Sequence, residues 1–222
     1  MLTWSLNQGT RKYIACSVAA GQNDVSSMIH PGLSFPELDG TALQLYIGAY
    51  GEETYQRYIT KFDACSRCKA GPSEESDVEH SPHHDMESVI WILFDSLTRA
   101  MPKDAKEMAL TGRAISVIRN FDNHVIDAAS DTRHPILRFD EENWKEVLHP
   151  SLSFLAKSLA NLTLFVRTDW SFWKDELPRD FMHEALKRIL LRKIDRLGSS
   201  KDHDVQLRKG ERNSGGQLRK PG

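Results

Sequence analysis

The densest run of apolar positions in the chain lies between Met86 and Leu97, where eight of the twelve residues are apolar. Asp85 precedes this run and is a predicted cap of a helix, and Pro102 cannot continue the helix beyond its end. A surface helix has one apolar stripe, whereas a helix that is apolar on most faces is buried inside a domain. The pattern therefore predicts a buried central helix from Asp85 to about Ala100.

Further helical segments follow this central helix. Apolar residues recur at intervals of three and four in residues 103–129, 141–148, 150–166 and 178–197. Asp140 is a predicted N-cap, and Gly198 is predicted to end the last helix. Trp170 and Trp173 are predicted to fill the core after the leucine-rich third segment. Strand-like alternation is not a major feature, so the predicted fold class is mainly α.

The segments on either side of this helical part have different patterns. Glycine and proline punctuate residues 26–84, which are predicted to be irregular except for one helix near 51–62. Residues 1–25 form a short polar and aromatic segment. Residues 198–222 have almost no apolar content, and we predict that they form a disordered, mildly basic tail.

Composition excludes several classes of protein. The chain has 222 residues, of which 40% are hydrophobic and 27% charged, and this is ordinary for a globular domain. The formal net charge of -2 does not favour nucleic acid as a partner. The longest apolar runs are too short to span a membrane, and the N-terminus does not resemble a signal peptide. Three cysteines cannot all pair with one another, which favours an intracellular protein.

One cluster has a spacing close to that of a zinc finger. Two cysteines three residues apart, Cys65 and Cys68, precede two histidines four residues apart, His80 and His84. The segment between the pairs lacks the apolar core and the helix on which a zinc finger presents its histidines. We therefore interpret the two cysteines as loop residues and the histidines as solvated, with His84 at the start of the central helix, and keep a zinc site as the third alternative.

Three motifs, Gly9-Thr10 with the residues after it, Asp85-Met86-Glu87-Ser88, and residues 149–152 with 180–191, together resemble the fungal-type protein kinase domain family. The first is Gly9-Thr10 with the residues up to Ala15, which is similar to the end of a kinase activation segment. The second is Asp85-Met86-Glu87-Ser88, at the start of the central helix. The third comprises residues 149–152 and 180–191, which resemble the end of that family's domain. The resemblance spans about residues 7–196, with a long insertion at about 20–80.

The resemblance implies the helical large lobe of a protein-kinase-like fold, without the β-rich small lobe. It divides the chain into a substrate-docking segment at 1–25, an insertion at 26–84, the lobe core at 85–197 and the tail at 198–222. Asp85 would hold the backbone of the catalytic loop, while Gly9 and Thr10 would shape the substrate pocket. The family's activity is phosphoryl transfer from ATP, with magnesium, to protein serine or threonine.

The groups that perform this chemistry do not occur in the chain. It contains no Gly-rich phosphate loop, strand lysine, His-Arg-Asp or Asp-Phe-Gly. We therefore assign no catalytic residue, predict an inactive chain and expect no cofactor for it. No acid lies between Tyr13 and Val18 to pair with a late arginine, so Arg188 and Arg192 are predicted to be solvated. The alternative is a helical interaction module whose exposed lobe surface is covered by a protein partner.

Overall fold

The computed structural model describes residues 13, 15, 33–66, 82–102, 110–124, 132–168, 170–173, 177–198 and 205–207. This part of the chain is mainly helical, as the sequence predicted. The α-helices are α1 (Gly40–Tyr50), α2 (Glu52–Ser66), α3 (Pro82–Arg99), α4 (Gly112–Asp122), α5 (Glu141–Val147), α6 (Ala156–Arg167) and α7 (Phe181–Gly198). Short 3-10 helices occur at His134–Arg138, Pro150–Leu155 and Trp170–Trp173.

Helix α3 is the central helix of the fold and packs against α4, α6 and α7. It begins at Pro82, so Asp85 lies in its first turn and the prediction that Asp85 caps the helix is wrong. Its inner faces carry Trp91 and Phe94, which are fully buried. The ring of Phe94 lies 4.7 Å from that of Trp144 on α5, and the ring of Trp91 lies 6.0 Å from that of Phe121 on α4. These aromatic contacts join α3 to two neighbouring helices. The prediction of a buried central helix is confirmed for these inner faces.

Capping residues fix where two of the helices begin. The Asp140 side chain accepts a hydrogen bond of 2.8 Å from the Asn143 amide, so the predicted N-cap of α5 is confirmed. Thr111 caps α4 in the same way through the Ala114 amide, at 3.0 Å. Helix α4 occupies only the middle of the predicted segment 103–129, and residues 103–109 and 125–131 lie outside the described residues.

The sequence underestimated the helical content before residue 85. Residues 26–84 contain both α1 and α2, whereas the sequence indicated one helix near 51–62. Helix α1 buries only Ala42 and Tyr46 and exposes Leu45. Its apolar residues therefore do not form a clear helical pattern in the sequence. Gly51 separates the two helices with a φ of 83°, a conformation that residues with a side chain rarely adopt. The prediction of an irregular segment is therefore wrong for Gly40–Tyr50, for residues 63–66 at the end of α2 and for residues 82–84 at the start of α3.

The tryptophans between α6 and α7 fill the core as predicted. Trp170 and Trp173 are buried, and the Trp170 ring lies 4.6 Å from that of Phe181 at the start of α7. The Trp170 indole donates a 2.8 Å hydrogen bond to the Phe165 carbonyl. The short 3-10 helix therefore ties the end of α6 to α7.

A two-stranded antiparallel ribbon follows the central helix. Strand β1 (Ala100–Pro102) pairs with β2 (Val205–Leu207), with Ala100 opposite Leu207. The prediction of a disordered tail over 198–222 is thus wrong for the three residues of β2. Residues 199–204 and 208–222 lie outside the described residues. Among the described residues, no helix has both the length and the apolar character needed to cross a membrane.

Candidate functional site

One face of the central helix α3 is open to solvent. Asp85, Val89, Ile92 and Ser96 follow one another at intervals of four, three and four residues, which places them within about 60° of one another around the helix axis. Val89 is 45% exposed and Ile92 44% exposed, Asp85 is exposed and Ser96 is half-buried. We call these four residues the outer stripe.

The outer stripe corrects the sequence interpretation of α3. Eight apolar residues in the run suggested a helix buried nearly all the way round, but two of them, Val89 and Ile92, lie on the exposed side. Neighbouring helices cover the other sides, where Met86 and Ile90 are buried. The spacing of Val89 and Ile92 relative to Asp85 is the sequence signal that could have identified this face.

The segment that contains Gly9 and Thr10 is described only at Tyr13 and Ala15. The Tyr13 hydroxyl donates a 2.7 Å hydrogen bond to Asp95 Oδ2 near the end of α3, and Ala15 is buried. Asp95 lies ten residues beyond Asp85, which corresponds to about 15 Å along a helix. The structure thus places the aromatic residue of this motif near the opposite end of α3 from Asp85. The roles predicted for Gly9 and Thr10 stay predictions.

Asp95 belongs to a small charged group at this end of the helix. Arg99 Nε lies 2.8 Å from Asp95 Oδ1, and Arg99 Nη2 lies 2.8 Å from Asp122 Oδ1 on α4. Asp95 is buried, whereas the Asp122 side chain is about half exposed. Among the described residues, Arg99 thus links the carboxylates of Asp95 and Asp122 at this end of α3.

The possible zinc ligands are only partly described. Cys65 is buried near the end of α2 and belongs to the apolar core, and His84 is buried in the first turn of α3, so the predictions of a loop cysteine and a solvated histidine are wrong for these two residues. Cys68 and His80 lie outside the described residues. Within the described ranges, no group of three or more histidine, cysteine, aspartate or glutamate side chains could hold a metal ion. The zinc alternative gains no support from the described part of the chain.

Arg188 is the most important departure from the sequence predictions. It is 0% exposed, whereas the sequence analysis expected a solvated side chain. Its Nε lies 2.6 Å from Glu184 Oε1 on the preceding turn of α7, and its Nη2 donates a 2.9 Å hydrogen bond to the Tyr55 carbonyl of α2. The acidic partner of Arg188 is therefore Glu184, on its own helix. Arg192 is exposed and 4.0 Å from Asp39, so the prediction for that residue is confirmed.

Aromatic rings surround the buried guanidinium of Arg188. Its central carbon lies 4.1 Å from the ring centre of Tyr55, 4.8 Å from that of Phe35, 5.0 Å from that of Tyr46 and 5.8 Å from that of Tyr58. A cation over the face of an aromatic ring is attracted by the ring's negative electrostatic potential. The cage joins α7 to α1, to α2 and to the segment before α1.

Hydrogen bonds complete this buried network and set the pKa values of its members. Burial by itself raises the pKa of Glu184, but hydrogen bonds from Lys187, Tyr46 and Arg188 outweigh it and hold the pKa below its ordinary value. Burial and the hydrogen bond to Glu184 raise the pKa of Tyr46 to about 12. Burial and the hydrogen bond to Asp180 likewise raise the pKa of Tyr58 to about 12.

We expect a late phase in the alkaline titration of the five tyrosines, because Tyr46 and Tyr58 ionise with pKa values of about 12 instead of 10.0. Both pKa values are raised in the folded chain, so the stability linked to the neutral hydroxyls is complete below pH 10 and is lost as the pH rises towards 12. Ultraviolet absorbance of tyrosinate, followed together with circular dichroism, measures both effects.

Replacement of Tyr46 and Tyr58 by phenylalanine should remove the late phase. The same titration in urea provides the unfolded reference, in which all tyrosines should ionise near pH 10. Ionisation of all five tyrosines near pH 10 in a chain that is still folded would contradict the assignment.

Comparison with known proteins gives no match. The chain matches no protein-family model, no curated protein and no solved structure. The resemblance to the fungal-type protein kinase family therefore stays a prediction that rests on three sequence motifs. The described residues include the second and third motifs in full and two residues of the first.

The outer stripe suits binding better than chemistry. It offers one carboxylate, two aliphatic side chains and one hydroxyl along about three turns of helix. Phosphoryl transfer needs charged groups that position and neutralise phosphate oxygens, and the stripe holds no cation. Val89 and Ile92 give the stripe a small exposed aliphatic surface.

Proposed function

We propose that this chain is the large-lobe part of a fungal-type protein-kinase-like domain, and that it binds a protein segment along the outer stripe without transferring phosphate itself. The observation that carries the proposal is the exposure of Val89 and Ile92 on the face of α3 that also carries Asp85. Burial of the exposed parts of these two side chains would contribute about 25 cal/mol for each Å² removed from water.

The kinase resemblance supports the choice of this face. In the family, the aspartate at the position of Asp85 holds the catalytic loop against the central helix. The sequence of this chain contains no His-Arg-Asp catalytic loop, and Val89 and Ile92 are exposed on the face of α3 that carries Asp85. A protein segment supplied by another molecule, or by a longer form of the polypeptide, would cover the same face.

The family's cofactors belong to the complete kinase domain. ATP and magnesium bind between the two lobes of a kinase, through the phosphate loop, the strand lysine and the Asp-Phe-Gly aspartate. None of these motifs occurs in the 222 residues of the chain. The proposed function therefore assigns no nucleotide, no metal and no proton transfer to this chain.

A photo-reactive amino acid placed at position 92 should form a cross-link to a discrete protein partner in the native cell. The same amino acid at position 194, where Ile194 is exposed on α7, serves as the matched control and should not give this product. The purified partner should then bind the recombinant chain, and Ile92→Asp should weaken that binding about tenfold or more because it places a charge in the apolar contact.

Two results would contradict the proposed function. One is a partner whose affinity is unchanged by Ile92→Asp, since the outer stripe would then not be the contact. The other is binding of Mg-ATP to the isolated chain with an affinity typical of kinases, measured by calorimetry, since that would indicate a nucleotide site in a chain that lacks the expected residues.

A further inference from the structure

The antiparallel ribbon at the end of α3 shows which residues pair with the edge of β1. Leu207 lies opposite Ala100, and Gln206 lies opposite Met101. Both partners belong to the sequence Gln-Leu-Arg-Lys, which begins at Gln206 and occurs again at residues 217–220. We propose that the edge of β1 is a strand-docking site with two alternative occupants on the same chain, which are β2 and the second Gln-Leu-Arg-Lys segment.

Strand β1 is fixed in place by the core as well as by β2. Ala100 is 2% exposed and belongs to the main apolar cluster, and Met101 is also buried. The strand follows α3 directly and packs against the 3-10 helix at Pro150–Leu155. An edge strand in a fixed position presents backbone N–H and C=O groups that pair with a segment arriving in register. The edge of β1 is thus suited to exchange one strand for another.

The repeated sequence predicts the same register for the second occupant. Gln217 would take the place of Gln206, opposite Met101. The residue before the repeat differs, since Val205 precedes the first copy and Gly216 precedes the second. Valine favours a strand, whereas glycine weakens one. The first copy is therefore the stronger occupant and the second copy is the reserve.

The two strands compete at high local concentration because both are tethered to α7. Six residues, 199–204, separate the end of α7 from β2, and seventeen, 199–215, separate it from Gly216. The local concentration of a tethered strand falls roughly as the −3/2 power of the tether length, so it is about fivefold lower for the second copy. A tether of this kind holds a strand at about millimolar concentration, which the tail of a second molecule does not reach in dilute solution. The second copy on the same chain is therefore the expected occupant.

Two alternative occupants keep the edge of β1 covered. An open edge strand is a template for pairing with other chains and promotes association. When β2 leaves, the second copy takes its place on the same edge, so β1 is not left open to a neighbouring molecule.

The test joins the strands by disulfides in the full-length chain. Opposite residues of an antiparallel pair have Cα atoms about 4.5–5.5 Å apart, which is within the range that a disulfide spans. Met101→Cys is combined with Gln206→Cys in one variant and with Gln217→Cys in another, and each variant equilibrates in a glutathione buffer. Mass spectrometry of the tryptic peptides identifies the joined cysteines, because Arg208 and Arg212 separate the two tail positions.

Both variants should form the intended disulfide within one chain. Met101→Cys with Ser214→Cys is the matched control, because Ser214 lies closer to α7 along the chain than Gln217 and outside the repeat. Random encounter would favour position 214, so docking of the second copy should be seen as a higher yield at position 217. Replacement of residues 205–207 by glycine should raise the yield at position 217 about fivefold or more, because β2 then no longer competes.

Four results would overturn the proposal. A yield at position 217 no higher than that at position 214 would show that the second copy does not dock. A yield at position 217 that the glycine replacement leaves unchanged would show that the two copies do not share one site. A disulfide between two molecules, detected by mixing isotope-labelled and unlabelled chains, would make a second molecule the occupant. Absence of the disulfide between positions 101 and 206 would show that β1 does not pair with the tail.

A second set of positions tests the same register if a variant at Met101 does not fold. Ala100→Cys is combined with Leu207→Cys or with Leu218→Cys, which are the next opposite positions along the strands. Circular dichroism of each variant shows whether it is folded. The edge of β1 lies beyond the outer stripe, so these results do not depend on the proposed function.

Discussion

Replacement of Arg188 by methionine should lower the free energy of unfolding by about 3 kcal/mol, the lower end of the usual range for breaking a buried ion pair, because Glu184 keeps its contacts with Lys187 and Tyr46. Glu184 is 4% exposed and would lose its 2.6 Å contact with the guanidinium. The Tyr55 carbonyl would also lose its hydrogen bond, and the aromatic cage would lose its cation. Urea denaturation followed by circular dichroism measures the change.

Arg192→Met is the matched control for this substitution. Arg192 lies one turn further along α7, is 44% exposed and is 4.0 Å from Asp39. An exposed ion pair of this kind contributes about 0–1 kcal/mol, so the control should change the free energy of unfolding by no more than that. Equal effects of the two substitutions would show that the burial assigned to Arg188 is wrong.

A double-mutant cycle with Glu184→Gln tests whether the two side chains act as a pair. The glutamine variant removes the charge of Glu184 and keeps its shape, so a buried carboxylate is no longer left behind when Arg188 is replaced. The double variant should therefore be less destabilised than the sum of the two single effects. Additive effects would indicate that Glu184 and Arg188 contribute independently.

Phe94→Ala should lower the free energy of unfolding by about 3–5 kcal/mol, the usual range when a large aromatic side chain is removed from a packed core. Phe94 is fully buried on the inner side of α3 and contacts the rings of Trp91 and Trp144. The cavity would therefore open between the central helix and α5. Urea denaturation and the near-ultraviolet circular dichroism of the tryptophans measure the loss of stability and of packing.

Ile92→Ala is the matched control on the same helix. It removes an aliphatic side chain from the outer stripe, where Ile92 is 44% exposed, and alanine is a good helix former. We expect a change of about 0.5 kcal/mol or less. If Ile92→Ala destabilised the chain as much as Phe94→Ala does, the outer stripe would be part of the core and the proposed binding face would not exist.

Much of the helical architecture could be predicted from local signals. The apolar run after Asp85 predicted the central helix, and Asp140 predicted the start of α5 to within one residue. Both signals act within one or two turns of helix, because capping and apolar spacing depend on neighbours along the chain. Helix α1 was missed because Gly40 and Gly48 weaken its helical propensity and its buried face consists of only two side chains.

The sequence predicted the helix that carries the candidate site but not which side of that helix is exposed. The sequence pointed to α3 and to Asp85, but the apolar count alone could not tell which side of α3 its neighbours cover. The expectation for Arg188 failed because an acidic partner was sought only between Tyr13 and Val18, whereas Arg188 pairs with Glu184 on its own helix. Its burial depends on Phe35 and Tyr55, which lie more than a hundred residues earlier in the chain.

The sequence by itself determined a mainly α-helical chain, the position of its central helix and the absence of the phosphoryl-transfer motifs from its 222 residues. Apolar periodicity, caps and motifs are local properties of the chain, so the sequence is enough to recognise them. Only the tertiary structure decided that Val89 and Ile92 lie on an open face and that Arg188 is enclosed in an aromatic cage. Burial is set by which distant segments pack against a side chain, and that depends on the whole fold.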